Sequence, residues 1–273
     1  MIKRYYLLFL LLVSTNGFVI NKIPKKNILS RKSFDIIELE KALVVNTICA
    51  SANAITEKKY LTQEGLYNAW FLGNILWVGL GYKAWLTGLI YFILGSLVTK
   101  IKMDEKEELG IAEKRSGARG PENVWGSAGT AAICSLLSFI FKSYLINLAF
   151  VSSFATKLSD TFASEIGKAY GKNCYLITNF KKVPRGTEGA ISIEGTFAGI
   201  IGSIILSIFG SYINLINYND IYLVVYSAFI ATNCESILGV ILQGKQKWIT
   251  NEFINFINTT IGAICVILLK LNL

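Results

Sequence analysis

Histidine is missing from all 273 residues, so no imidazole is present to act as a general base. Charge is also scarce: 16% of the chain is charged against 53% apolar, and the mean hydropathy is +0.49. That balance lies outside the soluble range and fits a single polytopic membrane domain. The five cysteines, Cys49, Cys134, Cys174, Cys234 and Cys265, show no C-x-x-C spacing. Neither a zinc site nor a disulfide framework follows from them.

No acidic residue occurs before Asp35, and this gap explains the net charge. The chain has 27 basic and 18 acidic residues, for a net charge of +9, but Lys3, Arg4, Lys22, Lys25, Lys26, Arg31 and Lys32 all fall in that acid-free leader. The rest is close to neutral, so nucleic acid is not implied as a partner. The leader reads as two signals in series. Residues 1–17 carry Lys3-Arg4, an apolar run from Tyr5 to Val13 and a small or polar exit, as in a secretory signal peptide. Residues 18–34 are basic and hydroxyl-bearing, as in an organellar transit peptide. Together they resemble the bipartite presequence of algae whose plastid lies inside extra membranes, which leaves 35–273 as the membrane catalytic domain. The alternative is a first membrane helix with a basic tail.

Hydrophobic runs place helices near 41–57, 66–82, 84–99, 123–141, 144–165, 189–213, 221–242 and 252–271. The expected fold is all-α, a polytopic bundle of about seven or eight transmembrane helices, the first being the weakest because it carries Asn46 and Asn53. With that count the connections around 58–65, 100–122, 166–188 and 243–251 share one side and hold most of the body's lysine and arginine. The opposite connections hold only Lys83 and Lys142, with Lys270 near the end. The asymmetry marks the first side as stromal or cytosol-like.

On that side the residue types suit a polyphosphate. Lys114, Arg115 and Arg119 precede a helix start, expected to offer free N–H groups from Val124 to Ser127, where a phosphate can bind. If 157–170 is helical, Asp160, Ala163, Ser164, Gly167 and Gly171 share one face, with Glu165 about 140° away from Asp160. Small residues there also suit plain helix packing. Packing does not call for an aspartate, so Asp160 is the candidate Mg²⁺ ligand. Lys172, Lys181, Lys182 and Arg185 lead into Gly186-Thr187-Glu188-Gly189, where cations and glycines can approach phosphate and Glu188 can complete a metal site. Asn233 and Glu235 interrupt the seventh run, where a carboxylate costs roughly 2.5 to 3.5 kcal/mol. Asn251, Asn255 and Asn258 recur on one face of the last helix.

The blocks Gly65-Leu66-Tyr67-Asn68-Ala69-Trp70, Gly95 to Lys100, Gly110 to Arg115, Arg119 to Ser127, Asp160 to Gly167, Val183 to Gly189, Glu235 to Gly239 and Trp248 to Glu252 resemble, in order and spacing, the phytyl-phosphate kinases of plants, algae and cyanobacteria. The resemblance covers about residues 60–262. A looser similarity links Asp160-x-x-Ala163-x-x-x-Gly167-x-x-x-Gly171-Lys172 and the later Gly-Thr-Glu-Gly block to CTP-using phosphatidate cytidylyltransferases and polyprenol kinases. The resemblance implies CTP as donor, Mg²⁺, and phytyl monophosphate as acceptor in a plastid membrane, feeding tocopherol synthesis. It carries the catalytic set Asp160, Lys182, Arg185 and Glu188, with Asp160 and Glu188 on the metal. The implied binding set is Lys114, Arg115, Arg119, Ser164, Gly167, Lys172, Lys181, Gly186, Thr187, Gly189, Asn233, Glu235 and Asn251. The chain departs from its relatives at Tyr67-Asn68, where a histidine-containing pair is usual, and at Cys234-Glu235.

The missing histidine agrees with a phosphate acceptor, whose oxygen is already deprotonated near neutral pH, better than with a free alcohol, which needs a base. Two rival readings are a cytidylyltransferase acting on a lipid phosphate and a membrane carrier without turnover.

Overall fold

The computed structural model describes the backbone of residues 26–55, 60–242 and 248–273, and side chains within 36–52, 60–242 and 248–273. The signal segment 1–17, the first part of the transit segment, and Lys58, Lys59, Lys245 and Lys247 lie outside the described residues. The chain divides between Ile37 and Glu38, and the unit Glu38–Leu273 contains the bundle.

The helices are α1 (Lys26–Ile55), α2 (Gln63–Leu80), α3 (Tyr82–Lys100), short α4 (Met103–Glu108), α5 (Pro121–Phe141), α6 (Tyr144–Tyr170), α7 (Ile193–Tyr212), α8 (Ile221–Leu242) and α9 (Asn251–Leu271). Each expected hydrophobic run from 66–82 onward matches one long helix, whereas the first, 41–57, falls on the later half of α1, which begins at Lys26 inside the expected transit segment. Among the described residues five helical segments are long and apolar enough to cross a membrane by length and composition: α3, α5, α7, the stretch Tyr218–Leu242 and α9. The expected seven or eight crossings are not reached on this ground: α2 carries Gln63, Glu64, Asn68 and Asn74, and α6 carries four charged side chains.

Helix α6 can carry those charges because lipid does not reach its middle. It packs against α3, α5, α7, α8 and α9, and every residue from Leu148 to Thr161 is buried. Helix α7 comes close by presenting Gly195, Gly199 and Gly202. A β-carbon at Gly195 would stand 2.6 Å from the Ala163 carbonyl oxygen, and one at Gly199 3.0 Å from that of Ser159. Helix-packing by small residues, one of the two readings of the 159–171 face, therefore operates here. Buried hydroxyls tie the remaining neighbours: Ser152 donates to the Gly262 carbonyl at 2.9 Å and Thr130 meets Thr259 at 2.8 Å. In lipid such bonds replace the hydrophobic driving force that water would provide.

The two ends of the bundle differ. At one end Tyr144 donates to Asp220, which also holds Lys270 at 2.8 Å, pinning the start of α6 to the entry of α8 and the end of α9. At the other end the connections 101–120 and 171–192 and the start of α9 come together. There the all-α expectation needs correction: β1 (Cys174–Leu176), β2 (Lys182–Val183) and β3 (Ala190–Ile191) form an antiparallel sheet in the order β2-β1-β3. Tyr175 pairs with Lys182 on one side and Ile191 on the other.

Candidate active site

Midway along α6, Lys157 donates to Asp160 one turn away and to Asn255 Oδ1 of α9 at 2.8 Å. All three side chains are buried. The i, i+3 spacing places the two charges on one helical face, and the pairing compensates charges that the interior would otherwise exclude. This pair lies at the floor of a cleft of about 380 Å³.

Two further carboxylates reach the cleft from other elements. Glu235 of α8 is buried and lies within electrostatic range of Asp160, Lys157, Glu188 and Lys168. Glu188 is delivered by the sheet. The turn between β2 and β3 holds Gly186 and Gly189 at φ +83° and +69°, left-handed values that other residues adopt at a cost. Gly189 lies so close to α8 that a β-carbon would stand 2.1 Å from Val240 Cγ2. Gly239 leaves the room that Glu188 fills, since a β-carbon there would be 2.7 Å from Glu188 Oε1.

The cations form a second set. Lys168 pairs with Glu165 at 3.2 Å, and Glu165 is also held by the fully buried Lys106, whose Nζ donates to the Thr99 carbonyl at 2.7 Å. Glu165, about 140° around α6 from Asp160, thus forms an ion-paired strut between α4 and α6. Lys114 stands exposed at the rim. Arg119 is half-buried, with its guanidinium 5.1 Å from the Tyr91 ring and donating to Tyr91 Oη at 3.1 Å. Gly95 makes room for it, because a β-carbon would come within 2.6 Å of Arg119 Nη2.

Of the expected site residues, Asp160, Glu188, Lys114, Arg119, Ser164, Gly167, Gly186, Thr187, Gly189, Asn233, Glu235 and Asn251 line this cleft. Arg115, Lys172, Lys181, Lys182 and Arg185 do not. Arg185 turns away, giving Nη1 to the Ala169 carbonyl at 3.2 Å and Nη2 to Glu105. It neutralises the carbonyl end of α6, and with Lys102 it holds the Glu105 carboxyl below the usual carboxylate range. Lys182, on an edge strand, donates to Asn173 at 2.9 Å. With Lys172 and Arg185 it borders a separate shallow depression, and Lys181 is exposed. Arg115 is occupied by Glu122 and by Asn123 at 2.9 Å. The helix start expected to bind phosphate is corrected too. Helix α5 begins at Pro121, so Val124 N–H already bonds the Gly120 carbonyl at 3.1 Å, and the protein's own Glu122 stands in the first turn.

Lys157, Lys168, Glu165, Glu252 and Asn255 are among the cleft residues that sequence reasoning left out of the site. A signal existed for the first: a lysine inside an apolar run, three residues before an aspartate, has little explanation other than a buried pair. Asn68, where the chain departs from the histidine-containing pair of its relatives, is occupied by structure, accepting from Trp125 Nε1 at 2.8 Å and donating to the Glu64 carbonyl at 2.9 Å.

The sequence model of the family described as Integral membrane protein DUF92 matches residues 46–263. The chain belongs to this family. Over 225 residues it is 52% identical to an uncharacterized membrane protein of Synechocystis sp., covering 81% of this chain and 87% of that one. It is 44% identical over 218 residues to Protein VTE6, chloroplastic, of Arabidopsis thaliana, covering 77% of this chain and 65% of the relative, just under two thirds of its length. A membrane protein of the archaeon Methanocaldococcus jannaschii is 31% identical over 225 residues, with 81% and 91% covered. No solved structure matches. As a DUF92 member the chain is an integral membrane protein, and the resemblance drawn from its motifs holds at the level of the family.

Proposed function

We propose that this DUF92 protein is a membrane phosphotransferase that moves the γ-phosphoryl group of a nucleoside triphosphate, CTP by resemblance, onto phytyl monophosphate. The product is phytyl diphosphate for tocopherol and prenylquinone synthesis. The observation that carries the reading is the meeting of Asp160, Glu188 and Glu235 with Lys157, Lys168, Lys114 and Arg119 in one cleft at the end of the bundle. The likeness to Protein VTE6, chloroplastic, supports a plastid membrane, and the concentration of lysine and arginine in the connections at the cleft end supports the stromal side.

The acceptor's phosphate oxygen attacks the γ-phosphorus, the bond to the β–γ bridging oxygen breaks, and CDP leaves with that electron pair. No net proton transfer is required, which suits a site without histidine. Among the described residues no cluster of three metal-binding side chains exists. Asp160 and Glu188 both line the cleft and both lie within electrostatic range of Glu235; as a pair of carboxylates they would hold a Mg²⁺ ion, which commonly takes one or two carboxylates and completes its shell with water and substrate phosphates. When bound it would supply neutralisation of the developing phosphate charge. Lys157 fixes the Asp160 carboxylate, Lys168 and Lys114 draw the donor phosphates, and Arg119 grips the acceptor phosphate. Lys172, Lys181 and Lys182, outside the cleft, steer the polyanionic donor toward it.

Incubating purified protein with phytyl monophosphate and CTP labelled separately in the base and the γ-phosphate tests the reading. The γ-label entering the lipid with release of CDP is expected. Release of pyrophosphate with cytidine in the lipid makes the protein a cytidylyltransferase, and lipid flux across vesicles without nucleotide makes it a carrier.

A further inference from the structure

Beside the charged cleft lies a second cavity, of about 210 Å³, enclosed by α1, α2, α3, α5 and α6. Its walls are Leu66, Trp70, Leu76, Leu89, Phe92 and Phe154 with their smaller neighbours, and four residues, Tyr91, Arg119, Asn123 and Ser127, belong to both cavities. The amide of Asn46 in its wall is satisfied: Oδ1 accepts from Trp85 Nε1 at 2.9 Å, and Nδ2 donates to the Ala42 carbonyl at 2.9 Å. The cavity extends to Cys49, which is exposed on α1.

We infer that this cavity is the binding site for the head-proximal part of one prenyl chain, entered past Arg119, with the distal chain leaving beside Cys49 into the bilayer. The inference rests on the reading of the cleft as a prenyl-phosphate site and names where its acceptor's tail lies. Three observations single out this occupant. The boundary between a charged cavity and an apolar one falls at a guanidinium, the group that pairs best with a phosphate, and a prenyl monophosphate has its own charged and apolar parts joined at that point. Arg119 is held there by its backbone as well as its ring contacts, since its N–H donates to the Tyr60 carbonyl and its carbonyl accepts from Thr62, both at 3.0 Å. The volume is below the roughly 300–1,000 Å³ of sites that enclose a drug-sized ligand, so it takes part of one chain and excludes the paired chains of a phospholipid.

Photolabelling tests this with the full-length protein in phosphatidylcholine vesicles and a prenyl monophosphate bearing a diazirine on its first isoprene unit. Adducts on Leu66, Trp70 or Leu89, competed by phytyl monophosphate and not by phosphatidate, are expected. Filling the cavity with Ala69→Phe lowers that labelling at least fivefold, whereas Leu66→Ala, which enlarges it, preserves labelling of Trp70 and Leu89. Adducts on outward-facing Ile133, Ile140 or Ile208, equal competition by phosphatidate, or no adducts at all overturn the assignment. Turnover measured on the same preparations separates the two claims. Cavity adducts without turnover on any nucleotide leave the tail site standing and remove the kinase reading; turnover with adducts elsewhere does the reverse.

Discussion

Residues 157–168 and 172–185 are neighbours in sequence, and both set lysines among small or polar residues, yet only the first stretch turns its lysines to the cleft. In the first, a rigid helix enclosed by five others holds Lys157 against Asp160 and Lys168 against Glu165. In the second, the chain forms a small sheet, so Lys182 is on an edge strand and Arg185 caps the helix just left. The contrast teaches that in a membrane protein the charge worth following is the one that had to be buried. A basic loop meets water at little cost, whereas a buried lysine needs a partner in place.

Breaking the buried side of this contrast has the largest effect. Lys157→Met leaves Asp160 uncompensated near Glu188 and Glu235 and is expected to cost about 3–5 kcal/mol, read from thermal unfolding in detergent. The double variant Lys157→Met with Asp160→Asn recovers most of that stability and no turnover. An unchanged melting temperature for the single variant would remove the pair from the core of the account. The delivery of Glu188 comes next: Gly189→Ala meets both a left-handed φ and Val240, with an expected loss of at least about 1 kcal/mol and a fall in kcat from the displaced carboxylate. Arg185 is sharpened by pH. Because the folded Glu105 carboxyl sits below its ordinary value of 4.5, the Arg185 tie stabilises the protein fully above that value and is lost as pH falls through the lower folded one. The melting-temperature gap between wild type and Glu105→Gln therefore narrows from pH 7 to pH 4, and a constant gap contradicts the tie. Smallest of all is Lys181→Ala, exposed and outside the cleft, expected to change stability by no more than about 0.5 kcal/mol.

Much of the architecture could be read in advance because long apolar runs are strong signals: the last helix, expected at 252–271, is α9 (Asn251–Leu271), and the seventh is α8 (Ile221–Leu242). The inward carboxylates Asp160 and Glu235 were visible for the same reason, as charges where an apolar run has none. The sheet was not, since strands of two or three residues leave no period to detect. Nor was the fate of Arg115 and Arg185. A guanidinium in a loop reads as a phosphate grip until the fold shows a carboxylate of the chain already there, Glu122 in one case and Glu105 in the other. Lys157 carried the same signal as Asp160, a charge inside an apolar run, and was passed over because that span was read for its hydrophobicity.

The most direct test of the central claim, that chemistry occurs around the Lys157–Asp160 pair, is the single-turnover rate of γ-label transfer from CTP to phytyl monophosphate in wild type and Asp160→Asn, each shown to be folded. The account predicts labelled diphosphate from the wild type and a loss of at least about 100-fold in the variant, on the scale of removing one electrostatic stabiliser. Equal rates in the two proteins would contradict it.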